Sequence, residues 1–283
     1  MSVSIARSAN LCASATIAAS TAPASIPPEP LLSVLIIARD AARTLPALLE
    51  ALAALRRSLP EMEIVVLVDD RTRDDTARLA RRANARVIHE PFKGFGSFKE
   101  RGRRQCRGAW VLNLDADERP TAAALAAIER AARGPRAFAW TLDIRTTLAG
   151  RPTRRGPFAA ERRLRMFPRA LGHWLSEERV HETPRVSVPI RALPGIVHHA
   201  SFVDARDCLA RHARYGIRAA GARPGPPAPL KGWTRACWRA ARQLFVHGGL
   251  IAGPPGVVLA YGQARATWLK WTAQPDDGVA QPR

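Results

Sequence analysis

Asp115, Asp117 and Glu118 set three carboxylates within four positions at the end of an apolar run, Val111-Leu112-Asn113-Leu114. Such a group is electrostatically unfavourable unless a cation sits against it. In an extended segment Asp115 and Asp117 point to the same side, so both can face one divalent ion. Mg²⁺ or Mn²⁺ takes oxygen ligands of this kind and commonly completes its shell with water and substrate phosphates. A metal held there offsets charge growing on a diphosphate leaving group. A bare Asp-x-Asp also arises at helix caps, and Thr121 close to Glu118 keeps that reading open; the preceding strand favours the metal.

Other candidates fall at comparable places. Asp69 closes the run Glu63 to Asp70, where a carboxylate can accept an N–H from a nucleobase edge, although Asp residues in DDRTRDDT also suit turns. Arg39 and Asp40 end the first apolar run. The stretch HEPFKGFGSFKERGRRQ has glycines at 94, 96 and 102 with Lys93 and Lys99, a pattern able to cradle phosphates through backbone amides and ammonium groups. It matches neither the Walker nor the dinucleotide fingerprint. Val180-His181-Glu182 offers a carboxylate beside an imidazole, and either can take a proton from a hydroxyl within about 3 Å. His198-His199 is available as a late metal ligand.

The elements that must carry these groups follow from periodicity. LSVLIIAR, EIVVLVDD, ARVIHE and WVLNLD read as buried strands. Between the first two, leucines at 45, 48, 49, 52 and 55 make one helical stripe. DDTARLARRANA, with Asp74 or Thr72 as cap, and TAAALAAIERAAR are further helices. Strand and helix alternate, which predicts right-handed crossovers and a parallel, doubly wound sheet. Ligands bind beyond the carboxyl ends of strands in such sheets. Arg39-Asp40, Asp69-Asp70 and Asp115-Ala116-Asp117 all lie at those ends. AFAWTLDIRTTL and VSVPIRALPGIVHHA extend the sheet, and the sequence turns helical from Asp204.

The chain has 283 residues, 47% of them hydrophobic, enough for one α/β domain with an appendage. Residues 1–30 read as a flexible leader rich in Ala and Ser, 31–203 as the catalytic domain and 204–283 as a helical region that associates with a membrane. The net charge of +20 points to an anionic partner. A basic α/β protein gripping nucleic acid is the rival reading; it leaves the acidic cluster unexplained, and no nucleic acid is expected. Four scattered cysteines without a Cys-x-x-Cys pair fit a reducing compartment. Leu244 to Ala264 is long enough to span a bilayer, but His247, its glycines and Pro254-Pro255 favour a re-entrant or interfacial segment. KGWTRACWRAARQLF interleaves aromatics with arginines, which suits either a membrane surface or a helix packed on the core.

Taken together, SVLIIAR, IVVLVDD with the following DDT, FKGFGSFK, GAWVLNLDADER, RLRMF, VHE, the late HH and FVHGGLIAGPPG resemble family 2 glycosyltransferases of the GT-A fold. The narrower likeness is to the lipopolysaccharide core β-1,4-glucosyltransferase branch. It covers about Leu32 to Trp271. The resemblance implies an α/β fold of GT-A type, a Rossmann-like, mainly parallel sheet flanked by helices, with a basic amphipathic helical C-terminal region. It implies an inverting transferase using a nucleotide-sugar donor, a lipid-linked or lipopolysaccharide acceptor and Mg²⁺ or Mn²⁺, working against the anionic inner face of the inner membrane. By this likeness Arg39, Asp40 and Asp69 bind the donor, Lys99 and Asp115 sit near its phosphates, Asp115 and Asp117 hold metal, and Glu182 is the base. Relatives typically have Asn-Glu where this chain has Asp40-Ala41, Ser-Gly at Asp70-Arg71 and Asn at Glu100. A degenerate transferase that binds nucleotide sugar without turnover is therefore a second alternative.

Overall fold

A computed structural model describes residues 29–148, 150–152, 161–175, 183–202, 204–221, 223 and 225–273. The expected leader lies almost wholly outside these residues, as do His181, Glu182 and residues 274–283.

The first half builds the parallel part of the sheet. It runs β1 (Leu32–Ala38), α1 (Leu45–Ser58), β2 (Met62–Asp69), α2 (Thr76–Arg82), β3 (Arg86–Glu90), α3 (Phe95–Gln105) and β4 (Trp110–Asp115). Then come β5 (Glu118–Pro120), α4 (Ala122–Arg133), β6 (Ala139–Leu148), β7 (Arg151–Pro152) and β8 (Glu161–Pro168). A 3₁₀ turn (Arg169–Leu171), β9 (Gly172–His173), β10 (Arg185–Val186) and β11 (Ile190–Phe202) follow, then α5 (Ala205–Gly221), α6 (Pro229–Ala241), a π-helical turn (Arg242–Val246) and α7 (Pro254–Thr272).

The main sheet has the order β3-β2-β1-β4-β8-β6-β11-β5, with β7 paired to β6. Strands β3, β2, β1 and β4 are parallel. Beyond β4 the sheet is mixed, because β8 runs antiparallel to both β4 and β6, β11 is parallel to β6 and β5 is antiparallel to β11. The mainly parallel expectation therefore describes one half. The other half inserts β8 beside β4 without a crossover helix, and its strands expose more of their residues than β1, β2 and β4 do.

Alternation of side chains sorts the strand residues into two layers. Val34, Ile36, Val66 and Leu114 pack under α1, α2 and α4, while Leu35, Val65 and Val111 pack with Phe98 of α3, Phe167 and Trp174. All five leucines of the α1 stripe are buried, as the periodicity predicts. Pro46 lies in its first turn, where a missing N–H goes unnoticed. The glycine-rich stretch is helix α3 from Phe95 to Gln105. Gly94, at φ 122°, starts it, and a Cβ on Gly102 would sit 2.6 Å from Leu35 Cδ1, so that glycine serves close packing on β1. Asp75, not Asp74 or Thr72, occupies the α2 N-cap position. Asp74 accepts the Thr76 N–H at 3.0 Å and the Ala42 N–H at 2.8 Å, tying the β2–α2 loop to the β1–α1 loop. Leu244 to Ala264 is divided between the π-helical turn, a short loop and the start of α7, where Pro254-Pro255 opens the helix instead of breaking one. No helix among the described residues is long and apolar enough to cross a membrane.

Candidate active site

In the order 3-2-1-4 the chain direction across the sheet reverses between β1 and β4, and a crevice opens outside their carboxyl ends. A cavity of about 780 Å³ lies there. Arg39, Asp40, Asp69, Lys99, Asp115 and Asp117 all line it. Six of the seven predicted site residues thus converge, from β1, β2, α3 and β4; Glu182, the seventh, lies outside the described residues.

The acidic triplet is met by cations from distant parts of the chain. Pairing of β8 against β4 sets Leu112 opposite Met166 and brings Arg165, itself 4% exposed, in front of the triplet. Its guanidinium donates to Asp115 Oδ2 at 3.1 Å and to the fully buried Glu118 carboxylate. Lys99 Nζ stands 3.7 Å from Asp115 Oδ1. Burial works to raise the Asp115 carboxyl, but Arg165, Lys99 and His199 hold it well below the usual carboxylate range. Burial pushes the Glu118 carboxyl up; Arg165 opposes this and the Asp115 charge adds to it. Glu118 also accepts the Asp115 N–H at 3.0 Å, while Thr121 alone caps α4 by accepting the Ala124 N–H at 3.3 Å. The triplet is therefore not a capping box: Glu118 turns away from α4, and the two aspartates precede the cap.

Asp117 sits in the turn between β4 and β5. Because β5 pairs antiparallel with β11, Glu118 lies opposite His199, and the Asp117 carbonyl accepts the Ala200 N–H at 2.8 Å. His199 Nε2 then lies 3.2 Å from Asp117 Oδ2. Burial depresses the His199 imidazole, but the bond to Asp117 and the charges of Asp117, Glu118 and Asp115 together push it up. His198, the other member of the pair, is lowered by burial and by Arg119 and Arg145. It does not line the cavity.

These residues fit a divalent ion in a limited way. Asp115 Oδ1 is a buried acceptor without a hydrogen-bond partner, and Asp117 with His199 offers an oxygen and a nitrogen at the same cavity. Among the described residues no group of three or more His, Cys, Asp or Glu is assembled to hold a metal. Two carboxylates at one cavity suit an ion of the Mg²⁺ type, which takes one or two of them and leaves the rest of its shell to water and phosphate.

Asp69 is 2% exposed and already engaged. Arg71 donates to it from Nε at 3.2 Å, from Nη2 at 2.9 Å and from its backbone N–H at 3.1 Å, and Arg39 Nη1 lies 3.7 Å away. Burial raises the Asp69 carboxyl, but these bonds and charges hold it below the usual range. A base edge reaching Asp69 must share it with Arg71. Asp40 has φ 45°, a left-handed conformation, and its Oδ1 accepts the Arg73 N–H at 2.8 Å. Lys99 and its neighbour Glu100 part ways on α3. Glu100 is buried beneath Trp174, accepting its N–H at 3.0 Å and the Arg103 guanidinium at 2.8 and 2.7 Å.

Sequence reasoning missed Arg165, Arg71, Arg163, Arg211 and Tyr215; all but Arg165 and Arg71 line the cavity directly. Arg71 had a local signal, its position two residues after Asp69. Arg163 and Arg165 lie in the RLRMF motif that carries the family likeness, but nothing local assigned them a role; Arg211 had no signal, since it reaches the site through packing between distant segments.

The family model for glycosyl transferase family 2 matches residues 33–183. Among curated proteins, an uncharacterised glycosyltransferase of Rickettsia typhi is 41% identical over 54 residues, 19% of this chain and 18% of that protein. The lipopolysaccharide core biosynthesis glycosyltransferase LpsC of Rhizobium meliloti is 29% identical over 131 residues, 44% of this chain and 48% of LpsC. The matches thus span less than a fifth of the Rickettsia protein and about half of LpsC. Among solved structures, S. aureus TarS 1–349 aligns with 84% of this chain and 90% of that chain, at a TM-score of 0.42 and 13% identity. With the family model covering more than half of its sequence, the chain belongs to glycosyl transferase family 2.

Proposed function

We propose that the chain is a metal-dependent, inverting glycosyltransferase that moves a sugar from a UDP-sugar to a lipid-linked or lipopolysaccharide acceptor at the cytoplasmic face of the inner membrane. The observation that carries this reading is the meeting of Asp69, Lys99, Asp115 and Asp117, from three segments of a family 2 chain, in one cavity at the reversal point of the sheet. The lipopolysaccharide role named for LpsC supports the acceptor class.

In this reading Asp69, Arg39 and Asp40 hold the nucleoside, and Lys99 draws the diphosphate toward the β4 end. Asp115 and Asp117, the latter fixed by His199, would hold Mg²⁺ or Mn²⁺, which when bound offsets negative charge on the leaving diphosphate. Arg165 keeps Asp115 ionised and fixed. Glu182 takes the proton from the acceptor hydroxyl as its oxygen bonds to the anomeric carbon. The anomeric C–O bond to UDP breaks on the opposite face, and UDP leaves with the electron pair. One displacement inverts the centre and needs no covalent enzyme intermediate.

The test is turnover. With a panel of UDP-sugars and an extract of lipopolysaccharide precursors, UDP release should appear for one donor, and NMR of the product should show an inverted anomeric centre. Retention of configuration would overturn the mechanism. Donor binding without any release, with acceptors supplied, would favour the non-catalytic reading, which the Arg71 clamp on Asp69 also supports.

A further inference from the structure

We propose that the C-terminal helices form a docking platform for an anionic lipid bilayer, with α6 lying in the headgroup plane, whatever the cavity transfers. From Cys208 to Pro275 the sequence contains no acidic residue. Helix α6 buries little more than Gly232 and Ala236. A Cβ on Gly232 would sit 2.8 Å from Trp271 Cβ, so the glycine lets α6 lie flat on α7.

The rest of α6 divides into two arcs at about 100° per residue, with the exposed Thr234 inside the apolar one. Leu230, Trp233, Cys237 and Trp238 fill an arc of about 140° next to and opposite the packed side, and Lys231, Arg235 and Arg239 fill the remaining arc of about 80°. Leu230 is 76%, Trp233 61% and Trp238 68% exposed. The chain continues into a tip at which Phe245, Val246 and Ile251 are each 72% exposed. Large apolar side chains exposed in such a cluster mark an interaction site.

The cations supply the second observation. Three of them gather on one indole: Arg223, Lys231 and Arg235 lie 4.9, 4.7 and 5.1 Å from the Trp271 ring. Lys231 and Arg235 are exposed and have no acidic partner among the described residues, so the two like charges stand side by side on the helix surface. Phosphate headgroups provide a counter-ion. A wide apolar stripe edged by a cationic row fits an interfacial helix that buries its tryptophans at the acyl boundary and keeps its arginines among lipid phosphates. A second copy of this chain fits less well, since a two-fold pairing would set the two basic rows near each other.

The platform is coupled to the cavity. Helix α5, which supplies Arg211 and Tyr215 to the lining, packs tightly on α7, where a Cβ on Gly216 would meet the Ala266 carbonyl oxygen at 2.5 Å. Docking therefore orients the cavity mouth with respect to the bilayer.

The experiment is vesicle co-sedimentation of the whole chain with phosphatidylcholine alone and with phosphatidylcholine mixed with phosphatidylglycerol. Two double variants on exposed side chains accompany it, Trp238→Ser with Phe245→Ser and Lys231→Gln with Arg235→Gln. The parent should bind only the anionic vesicles. The basic pair should weaken binding about thirtyfold, at about fivefold for each cation removed near the surface. The aromatic pair should weaken it at least tenfold. Equal binding by parent and aromatic pair would overturn the proposal in favour of diffuse adhesion of a basic protein. A lipid-free dimer that the aromatic pair dissociates would overturn it in favour of a self-interface. Brominated phosphatidylglycerol should quench the parent's tryptophan fluorescence, a readout that needs no variant; absence of quenching would also refute the platform.

Discussion

Arg165→Met removes the cation on which the acidic triplet rests while keeping most of the side-chain volume. In the parent, one guanidinium at 4% exposure serves Asp115 and the fully buried Glu118. Without it, Lys99 remains 3.7 Å from Asp115 as a countercharge, and Glu118 keeps the Asp115 N–H as its hydrogen-bond donor among the described residues. Breaking a buried pair by removing one partner destabilises by about 3–5 kcal/mol. Two carboxylates lose the same partner here, which places the loss near the upper figure, and proton uptake by Glu118 returns part of it; about 4 kcal/mol is the expected result. For a chain of this size that corresponds to a fall in Tm of about 7 °C. Urea and thermal unfolding at neutral pH measure it. The gap should narrow as pH falls, because protonation of Glu118 and then Asp115 relieves the repulsion. Glu118→Gln in the Arg165→Met background should recover stability, with a coupling of about 2–3 kcal/mol in the double-mutant cycle. A loss under about 1 kcal/mol, or no coupling to Glu118, would show that Arg165 does not hold the triplet together.

Three further outcomes follow from the geometry. Glu100→Gln, which leaves Arg103 without its buried carboxylate, should destabilise by about 2–4 kcal/mol in denaturant unfolding at neutral pH. Arg103, Arg104 and the Trp174 N–H outweigh burial and lower the Glu100 carboxyl, so its contribution is full above the unfolded glutamate value of about 4.3 and is lost as pH falls through the lower folded value; parent and variant curves should converge in acid. Gly195→Ala should lower the thermal midpoint, because Gly195 has φ 104° in the β11 bulge and a Cβ there would sit 2.4 Å from Ala124 N of α4. Glu182→Gln should lower turnover about 10²–10⁴-fold with UDP binding unchanged; full turnover would move the base to another acid, with Glu161 and Glu177 the next to test.

The parallel half of this fold was legible because its signals are local. Unbroken apolar runs produce β1, β2 and β4, and the leucine stripe produces α1, so the carboxyl ends carrying Asp40, Asp69 and Asp115 are fixed by short-range pattern. The site's electrostatics were not legible in the same way. The cations against Asp115 come from α3 and from β8, fifty residues further on, and His199 reaches Asp117 through the β5–β11 pairing across 82 positions. Strand pairing of that range leaves no periodicity to read. Helix α3 was not read from the sequence because its glycines blur the helical pattern; the approach of Gly102 to Leu35 explains one of them. Arg71 shows the opposite case: it was visible as a departure from the family pattern, but only geometry shows that it closes on Asp69.

The central claim is that the cavity at the β1–β4 reversal is a nucleotide-diphosphate site that uses metal through Asp117. Isothermal calorimetry of UDP with and without Mn²⁺, on the parent and on Asp117→Ala, tests it most directly. The account predicts binding by the parent only with Mn²⁺ and its loss in Asp117→Ala with the fold intact. No UDP binding by the folded parent under either condition, or equal Mn²⁺-dependent binding by both proteins, would contradict it.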